Sequence, residues 1–550
     1  MDRPWLKYYQ DKIPSSLDYP PLTIYQLLAN SALRFSKKDA LIFFGQRITY
    51  SELVTLVDRF AGSLYQLGIR KGHRVAILLP NCPQMVIVFY GILKLGAIVV
   101  PLNPLYMERE IEFHINDSET QNIVVLNSLY HKISHIKEKG MLKNIIVVDI
   151  KDFLPKGLRL LYPLQQMVKG QKPTIKNKLG GHPFKDLISK KLLEVPDEVL
   201  PHDPAVLQYT GGTTGTPKGA VLTHQNIVAN IIQLRAFYFM MRDGEERILS
   251  ILPFFHIYGL MIGLNFPVYV GATAVLLPTF TPAEVLKAIS RYKVTLLPGI
   301  PSLYTALCRH RSIGRYDLTC LKSCISGSSP LPLKVMEDFS RLTGVKIIEG
   351  YGLTEASPVT HFNPPHHEKK AGSIGIPLPD TDCKIVDLDK GEKEMPVGEA
   401  GELCIKGPQV MEGYWNRPQE TANTLREGWL YTGDIAKMDG DGYFYIVDRK
   451  KDMILVEGYN VYPREIEEVL ITHPKVMEAA VIGVPDSLRG EVVKAFIVLK
   501  DRETATEKEI IAFCRERLAR YKVPKKVEFR RELPKTLIGK VDRKILRGER

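Results

Sequence analysis

The sequence predicts an α/β protein, with a large, multi-layer N-terminal α/β domain and a small C-terminal α+β domain. Three observations carry this reading. A chain of 550 residues is too long for one compact core, so at least two domains are expected. Early in the chain, Arg74-Val-Ala-Ile-Leu-Leu, a helix from about Pro83 and Ala97-Ile-Val-Val alternate. Continuous apolar strands between helices are the pattern of a buried parallel sheet in a doubly wound fold. After about residue 450 the rhythm shortens. Val476 to Val484, Val492 to Leu499, a helix from Glu507 to Leu518 and Lys525 to Phe529 form a module of their own.

Taken in order, Leu22 to Arg34 has helical spacing through Ile24, Leu27, Leu28 and Ala32. Ala40-Leu-Ile-Phe-Phe and Gln46-Arg-Ile-Thr-Tyr read as strands paired around Gly45, and a helix runs from Ser51 to about Leu67. The segment Lys151–Lys191 interrupts the α/β alternation. Its ten basic residues face two acidic ones, so it carries +8 of the chain's +13. Leu154, Leu158, Leu161 and Val168 share one helical face with Lys156 and Arg159 opposite, although Pro163 splits any such helix. Two readings stand for this insertion (151–191). It is a solvated loop that packs its leucines on the domain, or a contact for an anionic membrane surface.

Composition narrows the function classes. A hydrophobic fraction of 45% and a charged fraction of 25% are those of a soluble globular protein. The net charge of +13 calls for an anionic partner, whether nucleic acid, an anionic substrate or a membrane surface. Most of the excess lies in the insertion and lacks the interleaved aromatics of a base-stacking platform, so no nucleic acid is expected. Seven scattered cysteines suit a reducing cytoplasm, and Cys320 and Cys324 lack the partners of a zinc site. The first twenty residues carry no apolar segment of a signal peptide, and Lys94 interrupts the most apolar run, so no transmembrane helix is expected.

The chemistry-bearing stretch is Tyr209-Thr-Gly-Gly-Thr-Thr-Gly-Thr-Pro-Lys-Gly219. Glycines bring backbone N–H groups close to a ligand, threonines add hydroxyl donors, and Lys218 adds charge: a phosphate cradle. It is not a Walker loop, because Thr216 and Pro217 separate Gly215 from Lys218. A strand leads in, and a short strand and a helix capped near Thr223 lead out. Glu349-Gly-Tyr-Gly-Leu-Thr-Glu355 offers Tyr351 as a flat face, Thr354 as a hydroxyl and Glu355 as a hard oxygen ligand for Mg²⁺. Asp434 ends Gly428-Trp-Leu-Tyr-Thr-Gly-Asp434, where a carboxylate can accept both hydroxyls of a ribose. Asp448-Arg-Lys-Lys-Asp452 reads as a charged turn after a strand. Pro463 opens a helix at a favoured first-turn position, and Lys540 sits in a tail loop, Pro534-Lys-Thr-Leu-Ile-Gly-Lys540.

In this order, from about Thr49 to the last residues, these motifs closely resemble those of adenylate-forming enzymes. That superfamily includes acyl-CoA synthetases, firefly luciferase and nonribosomal peptide adenylation domains. The resemblance implies an acyl-CoA synthetase-like fold, with a large AMP-binding domain (1–450) and a small mobile lid domain (451–550) hinged at Lys451. It implies ATP, Mg²⁺ and coenzyme A as cofactor and substrates. ATP and AMP would be held by Thr210, Gly211, Gly212, Thr213, Thr214, Gly215, Thr216 and Lys218, by Gly327, Ser328, Ser329 and Pro330, by Gly350, Tyr351 and Gly352, and by Asp434, Tyr445 and Arg449. Thr214 and Glu355 would hold the metal. Lys540, Thr354, Glu355 and His256 would be catalytic. Phe254, His256, Tyr258 and Pro301 would line the acyl pocket, and Gly458, Tyr459 and Asn460 the path for CoA.

The implied reaction is ATP-dependent ligation of a medium- to long-chain fatty acid to CoA through an acyl-adenylate, with an aryl- or branched-acid CoA ligase as the alternative. A carrier-loading adenylation domain is a further reading. The expected partners are fatty acid, ATP and CoA, with peripheral contact with an anionic membrane. The protein is expected to be a cytoplasmic monomer or homodimer, meeting the inner face of the membrane through the insertion.

Overall fold

The computed structural model describes residues 3–9, 12–159, 181–210, 216–365, 367, 370–457, 459–486, 490–536 and 540–548. Its large domain is built on two broad sheets. One has eight strands in the spatial order Gly413–Tyr414, Lys218–Thr223, Pro204–Thr210, Ile98–Pro101, Arg74–Leu78, Asn122–Leu126, Asn144–Val148 and His182–Pro183. The other has nine, with the parallel strands Thr273–Leu276, Arg247–Ser250, Leu296–Gly299, Ser323–Ser326 and Ile347–Gly352 at its centre. A third sheet of five strands carries Trp429–Met438 and Phe444–Arg449.

The strand Arg74–Leu78 shows why the apolar runs are continuous. Val75 and Ile77 face a core that includes residues of both broad sheets, while Ala76 and Leu78 face a second core under the helix Glu108–Asp117. With both faces covered, no position of the strand is left for a polar residue. Between the broad sheets, the helix Pro83–Lys94 is buried at every position from Pro83 to Leu93. The helices begin where local chemistry says they should. Thr23 and Thr49 each accept the N–H of the third helical residue, and Gln26 and Glu52 return the bond as capping boxes. Thr223 caps the helix His224–Phe237 in the same way through Asn226.

From Ile454 onward the chain forms a separate five-stranded sheet. Gly490–Leu499 pairs antiparallel with Val476–Asp486 and parallel with Lys526–Phe529. Alternate residues feed two small cores, one with Val481, Val493 and Ile510, the other with Ile482, Phe496 and Leu546. The small C-terminal domain therefore has its own packing.

In the insertion, residues 160–180 lie outside the described residues, and with them Leu161, Pro163, Val168 and four of the lysines. Of the apolar stripe that remains, Leu154 packs on the main core and Leu158 is exposed. The following stretch returns to the domain. His182–Pro183 adds an edge strand, and Phe184 and Leu187 are buried against the helix Tyr50–Gln66. Among the described residues, no helix is long and apolar enough to cross a membrane.

Candidate active site

The strands on either side of the Gly/Thr/Lys stretch pair as a β-hairpin. Pro204–Thr210 pairs antiparallel with Lys218–Thr223, so Thr210 stands opposite Lys218 and Tyr209 opposite Gly219. Gly211, Gly212, Thr213, Thr214 and Gly215 at the tip lie outside the described residues. At its base Lys218 Nζ lies 5.2 Å from the centroid of the Tyr414 ring. The Tyr414 hydroxyl donates to Glu355 Oε1 at 2.7 Å. Tyr414 reaches this place because Gly413–Tyr414 pairs with Ala220 and Val221 as the edge strand of the same sheet. Lys218, Tyr414 and Glu355 thus form one chain of contacts.

Glu355 lies in a single 3₁₀ turn, Thr354–Ala356, after the strand Ile347–Gly352. The turn needs glycine at Gly352, where a Cβ would stand 2.0 Å from the Pro358 carbonyl oxygen. The donor set fits Mg²⁺: one hard carboxylate, with Oε1 oriented by Tyr414. Among the described residues no group of three His, Cys, Asp or Glu side chains stands together as a cage. Such an ion prefers few protein ligands and the oxygens of a nucleotide.

Tyr351 leaves the same strand and donates to Asp434 Oδ2 at 2.6 Å. Arg449 Nε pairs with Asp434 Oδ1 at 2.9 Å, because Asp434 and Arg449 are direct partners in the antiparallel register of their strands. The Asp434 side chain is 5% exposed, so both of its oxygens are held by charge or hydrogen bond. Burial and the Asp434 carboxylate hold the Tyr351 phenol well above its ordinary pKa, which keeps it a donor. Tyr445 stands apart from this cluster. Its hydroxyl donates to Asp439 Oδ2 at 3.2 Å.

Lys540, on the small domain, lies within electrostatic reach of this cluster. Burial and the Arg449 charge push its ammonium down to about 8, against the pull of Asp434. His256 also feels the charge of Lys540. Burial, with the Lys540 charge added, pushes the imidazole down to about 4, so it is neutral at physiological pH. His256 is the N-cap of the helix Ile257–Leu260, its Nδ1 accepting from the Tyr258 N–H at 3.3 Å. The helix continues through a π turn, Met261–Asn265, into Phe266–Tyr269. Gly259 is required at its start, since a Cβ there would meet the Pro253 carbonyl oxygen at 2.2 Å.

Two buried amides that the sequence did not mark hold this loop. Gln208, on the cradle strand, donates to the Phe255 carbonyl at 2.8 Å. Asn81 donates to the Ser250 and Leu252 carbonyls at 3.0 and 2.8 Å, and its Oδ1 accepts from the Phe254 N–H at 2.9 Å. Phe254 and Tyr258 are buried, with the Tyr258 hydroxyl donating to the Gly299 carbonyl at 3.2 Å. The Tyr258 ring also lies over Gly327, where a Cβ would stand 3.3 Å from it. Pro301 is half-buried and opens the helix Pro301–Cys308. In the turn Gly327–Pro330, Ser328 adopts φ +73°, and Glu349 Oε1 accepts from the Leu331 N–H at 3.0 Å.

On the small domain, Gly458 lies outside the described residues. Its neighbours Tyr459 and Asn460 are exposed, and Tyr459 stacks on Tyr521 with ring centroids 4.7 Å apart. Lys451 is pushed down to about 8 by burial, with Asp452 acting in the opposite direction.

Residues 28–415 match the model of the AMP-binding enzyme family, and residues 465–540 match that of the AMP-binding enzyme C-terminal domain. The chain belongs to the AMP-binding enzyme family. Among relatives of this AMP-binding enzyme, the long-chain-fatty-acid–CoA ligase of Bacillus subtilis (strain 168) is 48% identical over 550 residues, covering 100% of this chain and 98% of that protein. Of solved structures, ATP-bound MatB from Rhodopseudomonas palustris has a TM-score of 0.84 at 29% identity, covering 96% of this chain and 99% of that one. Apo MatB from the same organism, with the same identity and coverage, has a TM-score of 0.74. The AMP-binding enzyme described here is therefore closer in overall shape to the ATP-bound form of MatB than to its apo form.

Proposed function

We propose that this AMP-binding enzyme ligates a medium- to long-chain fatty acid to coenzyme A, using ATP and releasing AMP and pyrophosphate. The observation that carries this reading is the buried Tyr351–Asp434–Arg449 cluster together with the Tyr414–Glu355 pair, with the Lys540 charge of the small domain near enough to act on Asp434 and Arg449. The name of the Bacillus subtilis relative supports the fatty-acid substrate, and the likeness to ATP-bound MatB supports an arrangement suited to adenylate formation.

In the first step a carboxylate oxygen attacks the α-phosphorus of ATP, and pyrophosphate leaves. Charge gathers on phosphoryl oxygens, so catalysis is mainly positioning plus positive charge. Lys218 and the N–H groups of the hairpin tip hold the phosphates, and Lys540 places its ammonium at the α-phosphate. Tyr351 offers its ring to adenine, while Asp434, oriented by Arg449, accepts the ribose hydroxyls. Glu355, and Thr214 of the tip, would hold Mg²⁺, which would supply further positive charge there. His256 is neutral and carries no charge to repel Lys540; it borders the acyl carboxylate with Phe254 and Tyr258 behind it.

In the second step the CoA thiol attacks the acyl carbonyl and AMP leaves. The small domain turns about Lys451 between steps, withdrawing Lys540 and presenting the Gly458–Asn460 turn to the thiol. The basic insertion gives peripheral contact with the inner face of an anionic membrane, where each basic residue near the surface is worth about 1 kcal/mol.

The test is pyrophosphate release measured over short-, medium- and long-chain fatty acids and aryl acids, with and without CoA. The proposal requires fatty acids to be preferred and AMP release to depend on CoA. Turnover confined to aryl acids would favour the alternative ligase.

A further inference from the structure

We propose that Asp452, Arg543 and Arg547 form a clamp that positions Lys540 relative to the hinge. This rests on the proposed role of Lys540 in adenylate formation. Asp452 follows Lys451 and its side chain is 7% exposed. It receives two guanidinium groups from the last helix, Arg543–Arg547. Arg547 Nη2 stands 2.8 Å from Oδ1, and Arg543 Nη1 stands 3.4 Å from Oδ2.

The clamp connects two things far apart in sequence. On one side is the Lys540 loop. Thr536 N–H donates to the Lys540 carbonyl at 2.6 Å, and Lys540 N–H donates to Thr536 Oγ1 at 3.2 Å. Asp542 then donates its N–H to the Pro534 carbonyl at 2.8 Å and caps the helix that carries both arginines. Lys540 therefore moves with that helix. On the other side is the nucleotide cluster. The N–H groups of Asp452 and Met453 donate to the Arg449 carbonyl at 3.0 and 3.1 Å, and Arg449 itself holds Asp434. Asp452 thus grips the strand end that carries Arg449 through its backbone, and the Lys540 loop through its side chain.

A purely structural tie would not need this arrangement. Arg543 Nη2 already pairs with Glu467 Oε1 at 2.7 Å, and Glu467 accepts the Val481 N–H at 2.8 Å, which fastens the helix to the small sheet. The Asp452 pairs add a reference to the hinge. A carboxylate so buried and so paired has one favoured position, since losing a partner leaves charge without compensation. When the domain turns about Lys451, the ion pairs travel with the small domain and the bonds to the Arg449 carbonyl are the ones that must change. The clamp thereby converts rotation at the hinge into a defined displacement of Lys540.

The experiment compares Arg547→Ala, Arg547→Lys and Asp452→Asn with Lys540→Ala, in the full chain. Both half-reactions are measured: pyrophosphate release from ATP and fatty acid, and thioester formation from supplied acyl-adenylate and CoA. Arg547→Ala should lower kcat for pyrophosphate release about tenfold, leave KM for ATP near that of the parent, and spare thioester formation. Arg547→Lys should recover most of the loss, and Asp452→Asn should follow Arg547→Ala. Equal loss in both half-reactions, or none in either, overturns the clamp. If Lys540→Ala blocks pyrophosphate release while Arg547→Ala and Asp452→Asn do not, only the clamp falls. If Lys540→Ala itself leaves pyrophosphate release intact, the role of Lys540 and the clamp fall together.

Discussion

Tyr414 donates its hydroxyl to Glu355 at 2.7 Å while its ring stands 5.2 Å from the Lys218 ammonium. One aromatic side chain thereby orients the candidate metal ligand and shields the cradle lysine. Outer partners of a metal ligand typically govern affinity by about 10- to 100-fold. Tyr414→Phe keeps the ring and removes the donor. The Mg²⁺ concentration for half-maximal pyrophosphate release should therefore rise by about tenfold, with little change in thermal stability. An unchanged metal titration would remove Tyr414 from the site.

Glu355→Gln goes further, since it removes the one charged ligand proposed for the ion. Adenylate formation should fall by more than about tenfold. AMP binding, which needs no bridge between metal and pyrophosphate, should persist and can be read by calorimetry. Loss of AMP binding would mean that the substitution disturbs the fold of the Thr354–Ala356 turn instead.

The pH dependence follows from Lys540. Its pKa lies at about 8, lowered by burial and by Arg449. A lowered lysine pKa means that the cation is present below about 8 and is lost as pH rises through it. kcat/KM for pyrophosphate release should therefore decline above about pH 8, well below the range expected of a solvent-exposed lysine. Lys540→Arg should abolish that alkaline limb, since arginine stays charged. His256, at about 4, stays neutral throughout and should contribute no acid limb near neutrality. A profile flat from pH 7 to 10 in the parent enzyme would contradict the role assigned to Lys540.

The half-reactions should separate by domain face. Lys540→Ala should abolish pyrophosphate release and spare thioester formation from supplied acyl-adenylate. Gly458→Leu should do the reverse, because a bulky side chain fills the path proposed for the thiol. Lys451→Pro fixes φ at the pivot and should harm the second step more than the first. Parallel loss in both half-reactions for Lys540→Ala and Gly458→Leu would refute alternation about Lys451.

Gly259→Ala tests how the His256 loop is built. The added methyl would lie 2.2 Å from the Pro253 carbonyl oxygen and 2.6 Å from that of Leu252, both backbone atoms that cannot rotate away. The helix start must shift, so a loss of stability of about 1–3 kcal/mol is expected together with a raised KM for the fatty acid. Chemical denaturation and steady-state kinetics on one preparation read both. A variant as stable as the parent, with the same KM, would show that the loop has room to move.

Local sequence determined a good deal of this protein. The continuous apolar strand Arg74–Leu78 dictates burial on both faces, and Thr223 dictates where the helix His224–Phe237 begins. These signals act within a few residues, through backbone sterics, capping and side-chain period, so a linear reading captures them. Tertiary structure alone decided who meets whom. Tyr414 finds Glu355 across 59 residues because an edge strand pairs beside the cradle, and Tyr351 finds Asp434 across 83. Gln208, in an apolar strand, and Asn81, in the bend before the helix Pro83–Lys94, look like ordinary polar residues until the folded chain gives them the Phe254–His256 loop to hold. Tyr445 and Arg449 share a strand but stand four residues apart along it, so Arg449 meets Asp434 and Tyr445 meets Asp439. Register and long-range hydrogen bonding depend on which strands become neighbours, and that is a property of the whole packed core.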